Sequence, residues 1–369
     1  MKKVIDFLKK DTVLSAAAIL AVVSMCLVPP DSRYLEYIDF SVIAVLFCLM
    51  GVVAGFRRCS LFDFLSARLL SVSRNAKTIF LMLVLCCFFS AMFITNDVAL
   101  ITFIPLTLIL FKNIAGRKLV YIIVLETAAA NVGSSLTPIG NPQNLYLYSF
   151  YHMDAGQFFS AVAPLCLFGL ILILLMVLCF RSEVLEAEYT AVHAVIDKKR
   201  LCVFAALFLL CVLTVLHVLD YRVCLIVTVA VILIVDKTVF GKIDYALLGT
   251  FAAFFILVGN LGRIGVIERF ISGIVSGREM LVGVLVSQVI SNVPASIMLS
   301  HFTDQAVPLL VGVNLGGLGT IVASLASLIS YKFYAKSEHA DKPLFFKVFT
   351  LVNFGSLVLL YLVLKLIGY

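Results

Sequence analysis

Long apolar runs, broken at intervals by short polar or charged stretches, dominate this chain. Their lengths fall near the roughly 20 residues that a membrane-crossing helix needs. Residues 13–29, 38–56, 157–180, 201–219, 221–238, 243–260 and 344–367 read as continuous spans. Residues 118–151 and 306–331 are apolar at both ends but carry a Gly-rich polar break between them. Two further stretches, 77–111 and 279–301, hold Thr95-Asn96-Asp97 and Ser291-Asn292-Val293 within apolar surroundings. If these two leave the bilayer on the side they entered, the basic clusters fall almost entirely on one face. As ordinary spans they scatter the clusters to both faces. The pattern therefore predicts an all-α polytopic membrane protein with about nine full crossings, two re-entrant hairpins and two broken helices.

The two breaks echo one another. Residues 131–151 read NVGSSLTPIGNPQNLYLYSFY and residues 314–334 read NLGGLGTIVASLASLISYKFY. Asn, Gly, Thr, Leu, Tyr, Phe and Tyr recur at matching positions. Ile38-Asp39-Phe40 and Ile243-Asp244-Tyr245 each open a span. An amphipathic stretch follows each (57–76 and 261–278), then a hairpin, a broken helix and a closing helix. The order predicts two repeats, 1–180 (hairpin 77–111, broken helix 118–151) and 221–369 (hairpin 279–301, broken helix 306–335). Residues 181–220 join them as a cytoplasmic linker and one connecting helix. That unmatched crossing inverts the second repeat relative to the first. The N-terminus and first hairpin are then cytoplasmic, and the second hairpin and C-terminus face outward.

Composition sharpens the class. The chain is 63% hydrophobic and 13% charged, with mean hydropathy +1.13, against about 25% charged for a soluble domain. Trp is absent, so Tyr and Phe must supply any aromatic belt. The basic start MKKVIDFLKK resembles a signal n-region, but the apolar run after it ends at Pro29-Pro30 without a cleavage pattern, predicting a retained first helix.

The net charge of +7 does not imply a nucleic-acid partner. Lys2, Lys3, Lys9 and Lys10, then Arg57, Arg58, Arg68, Arg74 and Lys77, flank spans. So do Lys112, Arg117 and Lys118, then Lys198, Lys199 and Arg200, then Lys237 and Lys242, and finally Lys332, Lys336 and Lys342. This spacing reports topology. It places the protein in a cell inner (plasma) membrane with the bilayer as its surroundings. Ten Cys are scattered without CxxC or Cys/His spacing, which predicts apolar filling. No GxxxxGK[ST] run is present for ATP-driven pumping. Ser134-Ser135 lacks a GxSxG context and a His at the same depth, so no hydrolase is expected. No enzyme activity and no cofactor are expected.

The chemistry sits at the breaks. Pro138-Ile139-Gly140-Asn141-Pro142 interrupts one helix, because Pro lacks an N–H and Gly weakens helices. Gly316-Gly317-Leu318-Gly319-Thr320 interrupts the other without Pro. Amide, hydroxyl and carbonyl oxygens suit a small hard cation, so Asn96, Asp97, Asn131, Gly133, Thr137, Gly140, Asn292, Asn314, Gly316 and Thr320 are candidate cation ligands. Na⁺ at the two hairpin tips, or H⁺, is the expected coupling ion. Helix N-termini and amide N–H groups suit an anion. Asp97 and Glu126 are proton-coupling candidates, since an intramembrane carboxylate is functional by default. His301 is a candidate pH-sensitive group. Arg263, His152, His193, His217 and His339 are read as interfacial.

TNDVALITFIPLT, NVGSSLTPIGNPQN and SNVPASIML resemble signature segments of the ion transporter superfamily, which includes divalent anion:sodium symporters, citrate transporters and arsenite permeases. The resemblance covers nearly the whole chain and is nearest to short bacterial anion permeases. It implies inverted repeats with re-entrant hairpins, a homodimer held by a scaffold domain, and a transport domain that moves like an elevator. In the carboxylate branch each tip carries Ser-Asn-Thr and binds carboxylate and sodium. The matching positions here are Thr95, Asn96 and Asp97, and Ser291, Asn292 and Val293. The Thr-Pro-Pro-Asn-like loop matches Asn141, Pro142, Gln143 and Asn144, and Ser324 to Ser327 replace it in the second half. The expected substrate site for a small anion is Thr95, Asn96, Asp97, Asn141, Pro142, Asn144, Ser291, Asn292, Val293, Thr320 and Ser324.

Two departures matter. Asp97 stands where a neutral Thr is typical, and Val293 removes a hydroxyl. Both weaken dicarboxylate specificity. They leave room for proton coupling, Na⁺/H⁺ exchange, or a neutral or singly charged oxyanion such as arsenite.

Overall fold

The computed structural model describes residues 12–60, 75–111, 116–180, 197–337 and 340–369. Among them every regular element is a helix. In chain order these are α1 (Thr12–Leu27), α2 (Tyr34–Tyr37), α3 (Phe40–Arg58), α4 (Ala76–Ile94), α5 (Asn96–Leu110) and α6 (Arg117–Ser134). There follow α7 (Pro142–Phe150), α8 (Ala155–Leu178), α9 (Lys198–Val215), α10 (Tyr221–Val235), α11 (Tyr245–Gly262) and α12 (Gly265–Val275). The chain closes with α13 (Glu279–Ile290), α14 (Asn292–Ser300), α15 (Ala306–Leu315), α16 (Leu325–Tyr334) and α17 (Lys342–Leu366). Much of the 57–76 stretch and of the 181–200 linker lies outside the described residues, with Lys2, Lys3, Lys9, Lys10, Arg68, Arg74, Lys112, His193 and His339.

Apolar sequence in a bilayer folds as helix because the backbone must satisfy its own hydrogen bonds. Short polar side chains set many of the starts. Asp39 Oδ1 accepts from Val42 N at 3.0 Å, and Asp244 Oδ1 from Leu247 N at 3.0 Å. Both belong to the Ile-Asp-aromatic echo, so the two copies do the same local work. Asn75, Asp154 and Asp341 cap α4, α8 and α17 in the same way. Each such cap contributes about 1 kcal/mol.

Among the described residues, five helices are long and apolar enough to cross a membrane: α3, α4, α8, α11 and α17. The total is six if α12 and α13, bent by 111° at their junction, count as one span. The expected nine crossings include shorter elements. The run 221–238 yields a helix of 15 residues, about 22 Å at the α-helical rise. It stops because Asp236 caps a 3₁₀ turn over Lys237–Lys242. Each broken span is two helices, and α1 has 16 residues.

The bundle has two chemically different ends. Arg58 and Arg200 both approach Asp236, at 3.3 and 3.6 Å, which gathers the end of α3, the start of α9 and the end of α10. Thr238 hydrogen bonds, foremost, hold the Asp236 carboxyl below the usual carboxylate range. Lys77 Nζ donates to Leu178 O at 2.7 Å, which adds the start of α4 and the end of α8. At the opposite end, Arg263 pairs with Asp31 at 2.9 Å, and Tyr369 OH donates to Ser160 O at 3.1 Å. Arg57, Lys198 and Lys242 lie at the first end; Asp154, Asp220 and Asp304 lie at the second.

Although α4 is long enough to cross, the chain reverses after it. The α4 start sits beside the start of α6 (Phe80 and Tyr121 ring centroids are 6.3 Å apart), and α5 returns there. The α13–α14 pair opens to the opposite end, where Thr303 donates to Glu279 at 3.2 Å. Helix α6 lies among these pairs and is buried along nearly its whole length, Ile122 to Leu125 completely.

Candidate functional site

Each hairpin turns on a single residue. Thr95 has φ 72° and ψ 150°, and Ser291 has φ 76° and ψ 154°. This region is nearly reserved for glycine and costs roughly 1–3 kcal/mol for another residue. The surroundings hold both corners in the same way. The Thr137 hydroxyl donates to the Met92 carbonyl, and the Thr320 hydroxyl donates to the Gln288 carbonyl at 2.9 Å. Both carbonyls lie three residues before a corner, and both threonines lie at matching positions of the two breaks.

The first leg of each hairpin lies backbone to backbone on a broken helix. A Cβ on Gly133 would fall 2.1 Å from the Phe88 carbonyl oxygen, and one on Gly312 would fall 2.5 Å from that of Met280. Only glycine permits either approach.

The breaks free carbonyls that need donors. At the first, Asn144 Nδ2 donates to Ser134 O, Ser135 O and Thr137 O at 3.3, 3.2 and 3.0 Å. At the second, Gln288 of α13 substitutes for an in-loop amide. Its Nε2 donates to Gly316 O at 2.8 Å and Leu318 O at 3.0 Å, and its Oε1 accepts from Thr320 N at 2.8 Å.

The breaks are also joined to each other. Asn131 Oδ1 accepts from Asn96 Nδ2 and from Ser324 Oγ, both at 3.0 Å. Its Nδ2 reaches Gly317 O at 3.3 Å and Ser327 Oγ at 3.4 Å. Asn314 Nδ2 donates to Asn144 Oδ1 at 2.7 Å. The leading Asn of each break thus bonds Ser327 or Asn144, which occupy matching positions of the two break segments.

Four helix N-termini meet at the centre: α5 and α14 leave the corners, and α7 and α16 resume after the breaks. Their first turns line a cavity of about 930 Å³ through Asn96, Asp97, Gln143, Asn292 and Ser324. A second cavity, of about 500 Å³, runs from Thr95, Asp97 and Asn141 toward Arg57, Arg58 and Lys242. Pro142, Asp97 and Asp244 border both. The far walls come from α1, α3 and α11. Each N-terminus carries the equivalent of about +0.5 charge, which favours an anion and is set against the two carboxylates, Asp97 and Asp244, that border the same cavity. Asp97 Oδ1, Asn141 Oδ1, Gln143 Nε2 and Asn314 Oδ1 are buried without a hydrogen-bond partner.

Of the residues expected from sequence, Thr95, Asn96, Asp97, Ser291, Asn292, Val293, Asn141, Pro142 and Ser324 border one or both cavities. Asn131, Gly133, Thr137, Asn144, Asn314, Gly316 and Thr320 stand behind them as the frame. Gly140 is part of that frame too, since a Cβ there would fall 2.2 Å from the Ser134 carbonyl oxygen. Glu126 is fully buried on α6 and borders neither cavity. Its Oε1 accepts from Thr107 Oγ1 at 2.5 Å, and its Oε2 has no partner. His301 packs on Phe150 at 4.9 Å with Nδ1 3.2 Å from Ile297 O. Sequence reasoning missed Gln288, although a lone amide within an apolar hairpin leg, three residues before Ser291, marks it. It also gave Gln143 no role of its own.

The family model for citrate transporters matches residues 4–313. An uncharacterized transporter of Methanocaldococcus jannaschii, MJ0456, is 36% identical over 302 residues, covering 80% of this chain and 81% of its own length. The inner membrane protein YbiR of Escherichia coli is 32% identical over 300 residues, 80% of each chain. The silicon efflux transporter LSI3 of Oryza sativa is 28% identical over 177 residues, 47% of this chain and 36% of its own.

Proposed function

Because the chain belongs to the citrate transporter family, we propose that it is a secondary active transporter for a small anion, carboxylate or inorganic oxyanion, coupled to Na⁺ or H⁺. The convergence of four helix N-termini on one cavity carries this reading. Such termini select negative charge, and non-helical backbone at membrane depth is tolerated where it lines a cavity.

The two repeats are related by inversion, in keeping with hairpins that open to opposite ends of the bundle. The basic end, with Arg57, Lys198 and Lys242, is cytoplasmic by the positive-inside bias. The N-terminus then lies in the cytoplasm and the chain spans the plasma membrane. Cation binding at the hairpin tips, by Asn96, Asp97 and backbone oxygens in one half and by Asn292 with Asn314 in the other, orders the corners first. Ordered corners present the N-termini of α5 and α14 to the substrate. The hairpins and broken helices then move as one body against the other spans, the cavities marking the sliding surface. The Tyr146 ring of α7 packs on Phe251 and Phe255 of α11 at 6.4 and 5.6 Å, a smooth aromatic contact suited to that surface. A homodimer through the static spans is the working unit.

A second reading is export of a metalloid oxyacid. It is favoured by the likeness to a silicon efflux transporter and by Asp97, which disfavours a dianion. Na⁺/H⁺ antiport through Asp97 is its companion.

The test is uptake of labelled succinate, sulfate and arsenite into proteoliposomes under an imposed Na⁺ gradient, then a pH gradient, with counterflow. Saturable, gradient-dependent uptake supports the carrier. Proton movement on Na⁺ addition without uptake of any anion transfers the assignment to the antiporter.

A further inference from the structure

Glu126 is a carboxyl group that neither cavity accounts for. It is fully buried on α6, the Thr107 hydroxyl of α5 donates to one of its oxygens at 2.5 Å, and the other oxygen has no partner. Among the described residues no ion pair reaches it. From α4 the Cys86 and Cys87 thiols lie within range of its charge. Helices α8 and α15 carry no charged residue. Lys332 of α16, Lys342, Lys347 and Lys365 of α17, and Arg117 and Lys118 at the start of α6 itself are all exposed. An ionised carboxylate is strongly unfavourable in such surroundings, so the group is held as a neutral acid. A single helix, α5, touches both Glu126 and the second cavity, and it has a weak point between the two contacts. Ile101 borders that cavity, Thr107 holds Glu126, and Pro105 lies between them inside the helix. Pro105 has no N–H for the Ile101 carbonyl, which loosens α5 at that turn. On the other side Thr127, next to Glu126, bonds Ser330 of α16 at 2.7 Å, beside Ile329 of the same cavity wall. That cavity runs to Arg57, Arg58 and Lys242 at the basic end.

We propose that Glu126 is a proton-binding site of the carrier, separate from the hairpin tips, loaded and emptied through the second cavity when α5 bends at Pro105 and parts Thr107 from it. This rests on the carrier reading above and assigns the residue that holds its coupling proton. Release breaks the carboxyl O–H bond, leaves the electron pair on the carboxylate and passes the proton to water that enters from the basic end. The emptied carboxylate persists only while α5 stays bent and water solvates it, because the closed surroundings offer no counter-charge. Reloading lets the hairpin leg close again. Proton load and the position of the first hairpin are thereby two faces of one equilibrium. Thr107 is a positioning residue, which holds the loaded acid against the leg.

The experiment is infrared spectroscopy of the purified full chain in detergent as the pH is raised, paired with uptake into proteoliposomes. Wild type should show the C=O band of a protonated carboxyl that shifts in D₂O and bleaches reversibly with rising pH. Glu126→Gln should lack that band and Asp97→Asn should keep it. Thr107→Val should shift its frequency without abolishing it, since one hydrogen bond to the acid is lost. Glu126→Asp, an acid on a shorter stem, should keep a titrating band, which guards against misfolding of the amide variant. In proteoliposomes offered labelled succinate, sulfate and arsenite, uptake driven by a pH gradient should fall to background in Glu126→Gln. A band absent from wild type, a band that never bleaches, or one that survives Glu126→Gln overturns the inference. So does pH-driven uptake by Glu126→Gln at the wild-type rate, or wild-type uptake driven by Na⁺ alone. Failure of the carrier reading is distinguishable: the titrating band and its loss in Glu126→Gln would persist while wild type shows no gradient-driven uptake.

Discussion

Replacing Thr95 with glycine should make the protein more stable and a poorer transporter. Thr95 is held at φ 72° and ψ 150°, and its side chain makes no capping hydrogen bond. Relief of a glycine-only conformation is worth about 1–3 kcal/mol. Glycine's extra freedom in the unfolded chain takes back about 0.5–1 kcal/mol. The net is a stabilisation of about 0–2.5 kcal/mol, near ~1 at the centre. Thr95→Val keeps the β-branched side chain at the same strained corner and removes only the hydroxyl, so its stability should stay within about 0.5 kcal/mol of wild type. Reversible unfolding in mixed micelles, followed by circular dichroism, gives both numbers on one scale. Both variants should slow transport, since Thr95 borders the second cavity and a corner released by glycine no longer holds the α5 N-terminus in place. If Thr95→Gly is less stable than wild type by about 1 kcal/mol or more, the corner is not a reservoir of strain and the reasoning fails.

Three other perturbations separate frame from lining. Asn144→Leu strips donors from Ser134, Ser135 and Thr137 carbonyls and the acceptor from Asn314. Gly140 N still reaches the Thr137 carbonyl and Asn314 Nδ2 still reaches Leu310 O, so the two orphaned carbonyls, at about 1–3 kcal/mol each, should destabilise by roughly 2–6 kcal/mol in the same unfolding assay, and a loss under ~1 would contradict its role. Gly133→Ala and Gly312→Ala each push a hairpin leg off its broken helix. An overpacking cost of about 1–3 kcal/mol is expected, with greater proteolytic sensitivity at the hairpin, and wild-type melting would argue against the close approach. Asp97→Asn should alter the pH profile or the cation requirement of transport, because it removes one of the two carboxylates, Asp97 and Asp244, that border both cavities; an identical profile would make Asp97 structural.

Much of this architecture was written in periodicity and punctuation. Runs of apolar residues placed the long helices, and Asp39 and Asp244 marked starts that the structure caps with those side chains. The hairpin corners were legible because a polar triplet is costly inside an apolar run and survives there mainly where it serves a site. What was not legible was division of labour. Asn131 and Asn144 look from sequence like ligands of equal standing with Asn96. Only the fold shows them spending their amides on carbonyls and on the opposite break, while Gln143, beside them, spends none. The second break lacks an in-loop Asn, and its substitute, Gln288, is 28 residues away along the chain from the Gly316 carbonyl it satisfies. Sequence spacing carries no trace of such a pairing. Apolar run length also overstates helix length, since capping at Asp236 ends α10 at 15 residues.

The decisive measurement is gradient-driven uptake by Asn96→Ala and Asn292→Ala in proteoliposomes, each first shown to be folded by an unchanged melting temperature. Each truncation should abolish uptake, because each removes one side chain from the meeting point of the two corners. Transport at the wild-type rate by either variant would contradict a shared site built from both hairpin tips.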